Sequence, residues 1–273
     1  MTVGSTLALA TGNAASGRDG RPGAPSTPDL TDWAADAATL AVDVVAAQEV
    51  DHLLPRSGGV DQTALLREAL SGGGDAWHSR FAAAVHGTPG DITTMRSAPA
   101  TRLAEPSYGV ALLSRHPVTE WHELRMAPSA VKVPVPRPSW TDEPLVVVPD
   151  EQRVALAARV EAPGGAVTVV TTHLSFVPWR AAGQLRELVA WARGLPRPLV
   201  LAGDLNLPAP VVERLVRGAG LRRVPTGPTY PARRPVGRLD HVLVDGLVPV
   251  GEASLHRLAA SDHLAVVVAL RRG

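Results

Sequence analysis

The feature that most constrains this chain is a recurrence of short apolar runs rich in Val and Leu. They lie at Thr6–Thr11, Val42–Ala47, Gly109–Ser114, Val154–Val160, Val167–Thr172, Leu199–Ala202, His241–Val244 and Leu264–Leu270, most of them bounded by Gly, Pro, Asp or Arg. Runs of this length and composition are β-strands. Between some of them the apolar period changes to that of a helix. Asp29–Leu40 spaces Leu30, Trp33, Ala37 and Leu40 on one face, and Asp61–Leu70 does the same with Leu65, Leu66, Ala69 and Leu70. Ala181–Arg193 carries Leu185, Leu188, Val189 and Ala192, and a shorter helix is expected over Val211–Ala219, after Pro208 and Pro210. Many short strands with interspersed helices make an α/β protein. No fixed-period repeat and no clean linker divides the 273 residues, so one domain over 1–273 is expected.

Composition narrows the function classes. Hydrophobic residues make up 45%, enough for a sizeable core. There is no cysteine, which excludes disulfides, a thiol nucleophile and cysteine-held zinc or iron–sulfur groups. Net charge is +1, so nothing global draws the chain to nucleic acid or to an anionic membrane. All but one of the 27 basic residues are arginine, a bias of the whole chain that does not by itself indicate phosphate binding. Aromatic residues are only 4%, which argues against stacking platforms for single strands. The most apolar runs are too short to span a bilayer, and no basic, then apolar, leader opens the sequence. A cytoplasmic monomer is the expectation.

Two stretches resist assignment. Gly87–Ser107 lacks periodicity, and Pro128–Pro149 holds six prolines, which forbids a helix or a central strand. Both read as long loops or edge hairpins, and such loops are often functional.

The polar residues at strand ends are more informative than the apolar runs. Asn13 follows the first strand, Gln48-Glu49 and Asp51 end the second, and Thr171-Thr172-His173 ends another. Gly203-Asp204-Leu205-Asn206 follows Leu199–Ala202, Arg238-Leu239-Asp240-His241 opens a strand, and Ser261-Asp262-His263 precedes the last. Singly, each is an ordinary turn or cap. If the strands are sheet neighbours, the six groups converge on one edge.

As an ordered set, from Asn13 to His263, these motifs resemble the endonuclease/exonuclease/phosphatase family, the DNase I-like metal-dependent phosphoesterases. The stretch from Tyr108 to Pro117, Arg153 after an acidic residue, and Pro228-Thr229-Tyr230-Pro231 add to the likeness. The resemblance implies a four-layer sandwich, with two mixed, largely antiparallel sheets packed face to face and helices outside. It implies Mg²⁺- or Mn²⁺-dependent hydrolysis of a phosphate ester, a diester ahead of a monoester. The alternatives are a nuclease acting on DNA or RNA and a catalytically silent binding protein on the same scaffold.

The residue types suit that chemistry. A phosphodiester repels hydroxide, so hydrolysis needs charge neutralisation, an activated water and help for the leaving oxygen. Mg²⁺ prefers a few carboxylate oxygens and retained waters. By resemblance, Glu49 is the principal metal ligand, with Asn13 alongside and Asp262 contributing. His263 is the general base, oriented by Asp240. Asp204 and Asn206 position water, metal and phosphate oxygens. His173 matches a histidine that contacts the scissile phosphate, with protonation of the leaving group as a second role. Arg153 and Tyr108 sit where the family has phosphate-facing support, with packing or an ion pair as the rival reading of each. Asp51 is read as loop hydrogen bonding, and His241 is expected to face away from the site.

Two departures carry expectations. Gly12 stands where the family commonly has an aromatic before the Asn, which predicts a more mobile loop around Asn13. Arg222, Arg223, Arg233, Arg234 and Arg238 cluster near Asp240 and are read either as phosphate contacts or as solvated surface. The substrate is expected to be a phosphate ester, with nucleic acid among the candidates.

Overall fold

The computed structural model describes residues 6–18, 29–72, 74, 76–129, 132–136 and 145–273. The first half runs β1 (Leu7–Asn13), α1 (Thr31–Thr39), β2 (Val44–His52), α2 (Gln62–Ser71), β3 (His78–His86), β4 (Arg96–Ser97), β5 (Ser107–Ser114), β6 (Val118–Met126), β7 (Lys132–Pro136) and β8 (Leu145–Pro149). The second runs β9 (Arg153–Val160), β10 (Val167–His173), α3 (Pro178–Ala192), β11 (Leu199–Asp204), α4 (Ala209–Val216), β12 (Arg222–Arg223), β13 (Asp240–Asp245), β14 (Leu247–Pro249), β15 (Ser254–Arg257) and β16 (Leu264–Arg272).

Two sheets result. The first is ordered β14-β16-β1-β2-β5-β3-β4, with β15 also on β16, and the second is ordered β12-β13-β11-β10-β9-β6. Alternation along the strands explains the layers. Leu7 and Leu9 of β1, Val154 and Leu156 of β9, and Val200 and Ala202 of β11 meet between the sheets. The intervening residues face outward. Ala155, Ala157, Leu199 and Leu201 pack under α3 and α4, while Ala10, Val45 and Ala47 pack under α1 and α2. This is the four-layer sandwich expected from the motifs. Emptying a fully buried position such as Leu9 or Leu156 would cost about 2–5 kcal/mol.

Each sheet contains one parallel pair joined across a helix, β1 with β2 and β10 with β11; the other pairings are antiparallel. A parallel pair brings two strand C-termini to the same edge. Asn13 therefore lies opposite Gln48, and His173 opposite Asp204. The antiparallel neighbours bring strand starts to that edge. Asp240 is paired with Asp204, and β16 begins just after His263, beside the end of β1.

The expected helices are all present, with shifted ends. α2 begins after Asp61, whose carboxylate accepts from the backbone N–H groups of Thr63 (3.0 Å) and Ala64 (3.1 Å). α3 begins earlier than periodicity predicts, with Pro178 in its first turn. β3 and β6 carry no strong run in the sequence. β3 is alanine-rich, and β6 is an edge strand with mostly part-exposed polar positions. Gly87–Ser107 is mainly turns with the short edge strand β4, and the proline-rich stretch forms a separate β7–β8 hairpin. Residues 130–131 and 137–144 of that stretch lie outside the described residues. No helix among the described residues is long and apolar enough to cross a membrane.

Candidate active site

The two parallel pairs open onto a cleft of about 460 Å³, lined by Glu49, Asp204, Asn206, Asp262 and His263 among others. Asn13 (2% exposed) and Asp240 (0%) are buried behind these groups, against Glu49 and Asp204 and against His263. The expected convergence is therefore met, and the geometry of each group follows from its strand.

Glu49 is aimed by a β-bulge. In the β2–β5 ladder Gln48 pairs with Val110 and Val50 with Gly109, which leaves Glu49 unpaired at φ +53°. A bulge re-aims one side chain out of the alternation. Here it lets Gln48 and Glu49 do different jobs. Gln48 points between the sheets and donates to Thr11 Oγ1 (3.1 Å) and Thr171 Oγ1 (3.0 Å), joining both sheets beneath the site. Glu49 turns into the cleft.

Asn13 bridges two carboxylates. Its Nδ2 donates to Glu49 Oε1 and to Asp204 Oδ2, both at 3.1 Å, while its Oδ1 accepts from the N–H of Ala15 at 2.9 Å. Gly12, just before it, is not left without an aromatic neighbour. The Trp33 ring from α1 occupies the space over it, and a Cβ at Gly12 would lie 3.1 Å from that ring. The aromatic packing that the residue before Asn13 lacks is thus supplied by a helix. Beyond Asn13, Ala15, Ser16 and Gly17 are all left-handed, at φ +46°, +54° and +77°. A Cβ at Gly17 would meet Asp29 backbone at 2.4 Å, so only glycine fits this turn.

His263 is held from two sides. Its Nδ1 lies 2.8 Å from Asp240 Oδ2, its Nε2 3.7 Å from Asp204 Oδ2, and the Tyr230 ring packs against it with centroids 4.8 Å apart. Burial alone would lower the imidazole, but the charge and hydrogen bond of Asp240, with Asp204 and Asp262 behind, raise it to about 10. Asp204 moves oppositely to an ordinary paired carboxylate. Burial and the neighbouring Asp240 raise it to about 7, against the pull of His263 and Asn13.

His173 sits 3.6 Å from Asp204 and differs electrically from His263. Burial and the adjacent Arg153 push it down to about 3. Asn206 Nδ2 donates to Leu174 O at 3.0 Å, which orients its amide, and it also lies 3.1 Å from His173 Nε2. The neutral ring therefore carries its proton on Nδ1, 3.5 Å from the Tyr108 hydroxyl. Arg153 is buried, 3.3 Å from Glu151, and its Nε has no hydrogen-bond partner among the described residues.

Two residues that line the cleft, Arg18 and Arg56, were not singled out from the sequence. Arg18 donates to Glu49 Oε2 at 2.5 Å. Burial would raise Glu49, but Arg18, His173, Asn13 and His263 together outweigh it and hold it down to about 2. Arg56 makes a two-pronged pair with buried Asp51, at 2.8 and 2.6 Å, and lies over the Tyr108 ring. Asp51 is thus a structural anchor, as its reading required. Asp262 is open to the cleft and is raised by desolvation and Glu49 against the pull of His263. The arginine cluster near Asp240 does not line the cleft; Arg223, for example, pairs with Glu213 at 2.7 Å. Nothing near Arg18 or Arg56 marked them in an arginine-biased sequence. His241 is buried and meets Leu207 O at 2.8 Å, away from the cleft as expected.

Comparison with known proteins agrees with this geometry. The family model described as the Endonuclease/Exonuclease/phosphatase family matches residues 10–263. An endonuclease/exonuclease/phosphatase crystal structure from Beutenbergia cavernae is 27% identical, with a TM-score of 0.69, over 98% of this chain and 72% of that one. D. rerio TDP2 complexed with single-strand DNA product is 17% identical, TM-score 0.61, over 98% and 99%. A Bacteroides thetaiotaomicron mannosyl-6-phosphatase is 13% identical, TM-score 0.53, over 97% and 99%. The last two are likenesses of fold. None of the curated proteins compared matches the chain.

Proposed function

The chain belongs to the endonuclease/exonuclease/phosphatase family, and on that premise we propose that it hydrolyses a phosphodiester with the help of a divalent cation, Mg²⁺ or Mn²⁺. The observation that carries the reading is the His263–Asp240 pair, 2.8 Å apart, facing Asp204 at the edge of a cleft that also holds Glu49 and Asp262.

The donor set fits a hard cation. Glu49, Asp204 and Asp262 offer carboxylate oxygens, and no thiolate competes. Burial first, and then neighbouring carboxylates, raise Asp204 and Asp262, and a divalent ion beside them would favour their charged forms. Glu49 would be the principal ligand, with Asn13 and Asp262 beside it. Asp204, Asp240 and His263 also approach one another within 4.8 Å. The 2.8 Å hydrogen bond inside that trio suits a proton relay better than a ligand set. Bound at Glu49, the cation would supply charge neutralisation at the phosphate.

The chain's own residues do the rest. His263, as free base, takes the proton of the attacking water at Nε2, while Asp240 fixes the tautomer by accepting from Nδ1–H. Asp204 and Asn206 orient water and phosphate oxygens. Arg153 and Tyr108 give the phosphate further support. His173, neutral and hydrogen-bonded to Asn206, belongs to that phosphate-facing side.

The test is turnover of bis-p-nitrophenyl phosphate, p-nitrophenyl phosphate, plasmid DNA, RNA, sphingomyelin and inositol phosphates, with Mg²⁺, Mn²⁺ or chelator. The reading requires turnover of at least one diester that chelator abolishes and Glu49→Gln removes. No turnover of any of them with either cation rejects it.

A further inference from the structure

Two backbone segments beside the site stand in the left-handed region with side chains attached. Glu49 has φ +53°, and Ala15 and Ser16 have φ +46° and +54°. Such residues persist where their surroundings over-determine them, and they gather at functional sites. Here the two segments are tied to each other by a buried polar ring. Ser16 Oγ lies 3.1 Å from Glu49 O and 3.0 Å from Asp51 Oδ1. Gln62 Nε2 donates to Ser16 O at 2.8 Å, and Gln62 Oε1 accepts from the N–H of Asp51 at 2.8 Å. Ser16, Asp51 and Gln62 are buried, and none of them lines the cleft.

The ring has a direction. A hydroxyl carries one hydrogen. Arg56 donates to both oxygens of Asp51, at 2.8 and 2.6 Å, and to Ser16 Oγ at 3.1 Å. With Asp51 paired in this way, the Ser16 hydrogen is left for the carbonyl of Glu49, the residue that has no partner in the β2–β5 ladder. The turn that carries Ser16 begins at Asn13 and ends at Arg18, and both of these meet the Glu49 carboxylate. The ring therefore holds Glu49 by its backbone while its neighbours in the chain hold the carboxylate. A buried ion pair is a weak source of stability, because desolvation offsets its attraction; its better use is to fix one arrangement among several.

We propose that Ser16, Asp51 and Arg56 are positioning residues of the cation site: they lock the Glu49 bulge to the Asn13–Arg18 turn, so that the Glu49 carboxylate is presented to a divalent cation in one fixed place. This rests on the reading of Glu49 as the principal ligand. Removing a group that orients a metal ligand from behind typically weakens metal binding by about ten- to a hundredfold. An anchor that served the fold alone would change melting and leave metal affinity as it was.

Ser16→Ala removes the hydroxyl and leaves the Asp51–Arg56 pair in place; Asp51→Asn removes the charge at constant shape. Ser16→Gly, which suits φ +54°, stands in for either variant that fails to fold. Val160→Ala is the control for lost stability, a buried truncation at the end of β9 remote from Arg153 and the cleft. Mn²⁺ affinity is measured calorimetrically without substrate, in the wild-type background and in Arg18→Ala, where no guanidinium competes for Glu49. Ser16→Ala and Asp51→Asn should each weaken Mn²⁺ binding by about tenfold or more in both backgrounds. Val160→Ala should leave it unchanged. Turnover of bis-p-nitrophenyl phosphate by the two variants should recover towards wild type at saturating Mn²⁺. Crystal structures of the metal-free wild type and Ser16→Ala should show the Glu49 carboxylate displaced in the variant. Wild-type Mn²⁺ affinity in Ser16→Ala, in either background, overturns the proposal, as does a Glu49 carboxylate that keeps its place. If the wild type binds no Mn²⁺ and cleaves no ester, the phosphoesterase reading falls, and the place of Glu49 in the Ser16→Ala crystal alone decides the positioning role.

Discussion

Arg18 Nη2 lies 2.5 Å from Oε2 of Glu49, so the carboxylate expected to hold a divalent cation is already paired with a guanidinium. The pairing is built, not incidental. The left-handed turn at Ala15, Ser16 and Gly17 brings Arg18 back over the cleft, and its Nε is fixed on Ala15 O at 2.9 Å. A cation arriving at Glu49 must displace or share this contact.

Arg18→Ala should therefore bind Mn²⁺ more tightly than wild type, by about tenfold if a charge-assisted hydrogen bond is lost on metal binding. Its metal-free form should melt lower, because Glu49 is left unpaired among carboxylates. Glu49→Gln should show little thermal shift on adding Mn²⁺. Calorimetric titration and melting curves with and without Mn²⁺ check both. Weaker Mn²⁺ binding in Arg18→Ala would mean that the guanidinium supports the site.

His263 should remain protonated through neutral pH in metal-free protein, since it is raised to about 10. The sign follows. A raised histidine contributes stability in full below its unfolded value near 6.5, and the contribution is lost as pH rises from there towards 10. Asp240→Asn should pull the imidazole back down, seen as an earlier titration of the ring protons by NMR. In the metal-loaded enzyme the acid limb of the rate profile should move to lower pH in that variant. Its kcat should fall by about a hundred- to ten-thousandfold, because base strength and tautomer are both damaged. An unmoved limb would dissociate Asp240 from the base.

His173 is held neutral and faces Asn206, so its loss should act through phosphate positioning. His173→Ala should reduce turnover of bis-p-nitrophenyl phosphate and of an alkyl phosphodiester by similar factors. Damage concentrated on the alkyl substrate, whose leaving group needs a proton, would restore the leaving-group role.

Gly109 tests the bulge that aims Glu49. It sits opposite Val50, and a Cβ there would fall 1.9 Å from Ala82 O on β3. Gly109→Ala should cost about 3 kcal/mol or more in urea unfolding, because backbone cannot yield as a side chain can. If the variant folds, its Mn²⁺ thermal shift should shrink along with the bulge. Wild-type stability would show that β3 and β5 are further apart than described.

The layers were legible in the sequence because burial on a sheet is periodic. Leu7 and Leu9, Val154 and Leu156, and Val200 and Ala202 alternate whichever strand lies beside them, so each strand announces a buried face locally. The site motifs were legible for a related reason: side chains at strand ends share an edge once strands are neighbours, as Asn13, His173, Asp204 and Asp240 do. What tertiary structure alone decided depends on contacts distant in sequence. The division of Gln48 from Glu49 needs the unpaired residue between Val110 and Gly109 of β5. Trp33 over Gly12 needs α1 docked on β1. Arg18, Arg56, Phe176 and Tyr230 enter the cleft through turns and pairings that no periodicity encodes. Burial lowers both imidazoles; at His173 the charge of Arg153 adds to it, and at His263 Asp240 and its carboxylate neighbours override it. Local chemistry determines which groups a strand end can offer, and packing across the sheets determines their direction and charge.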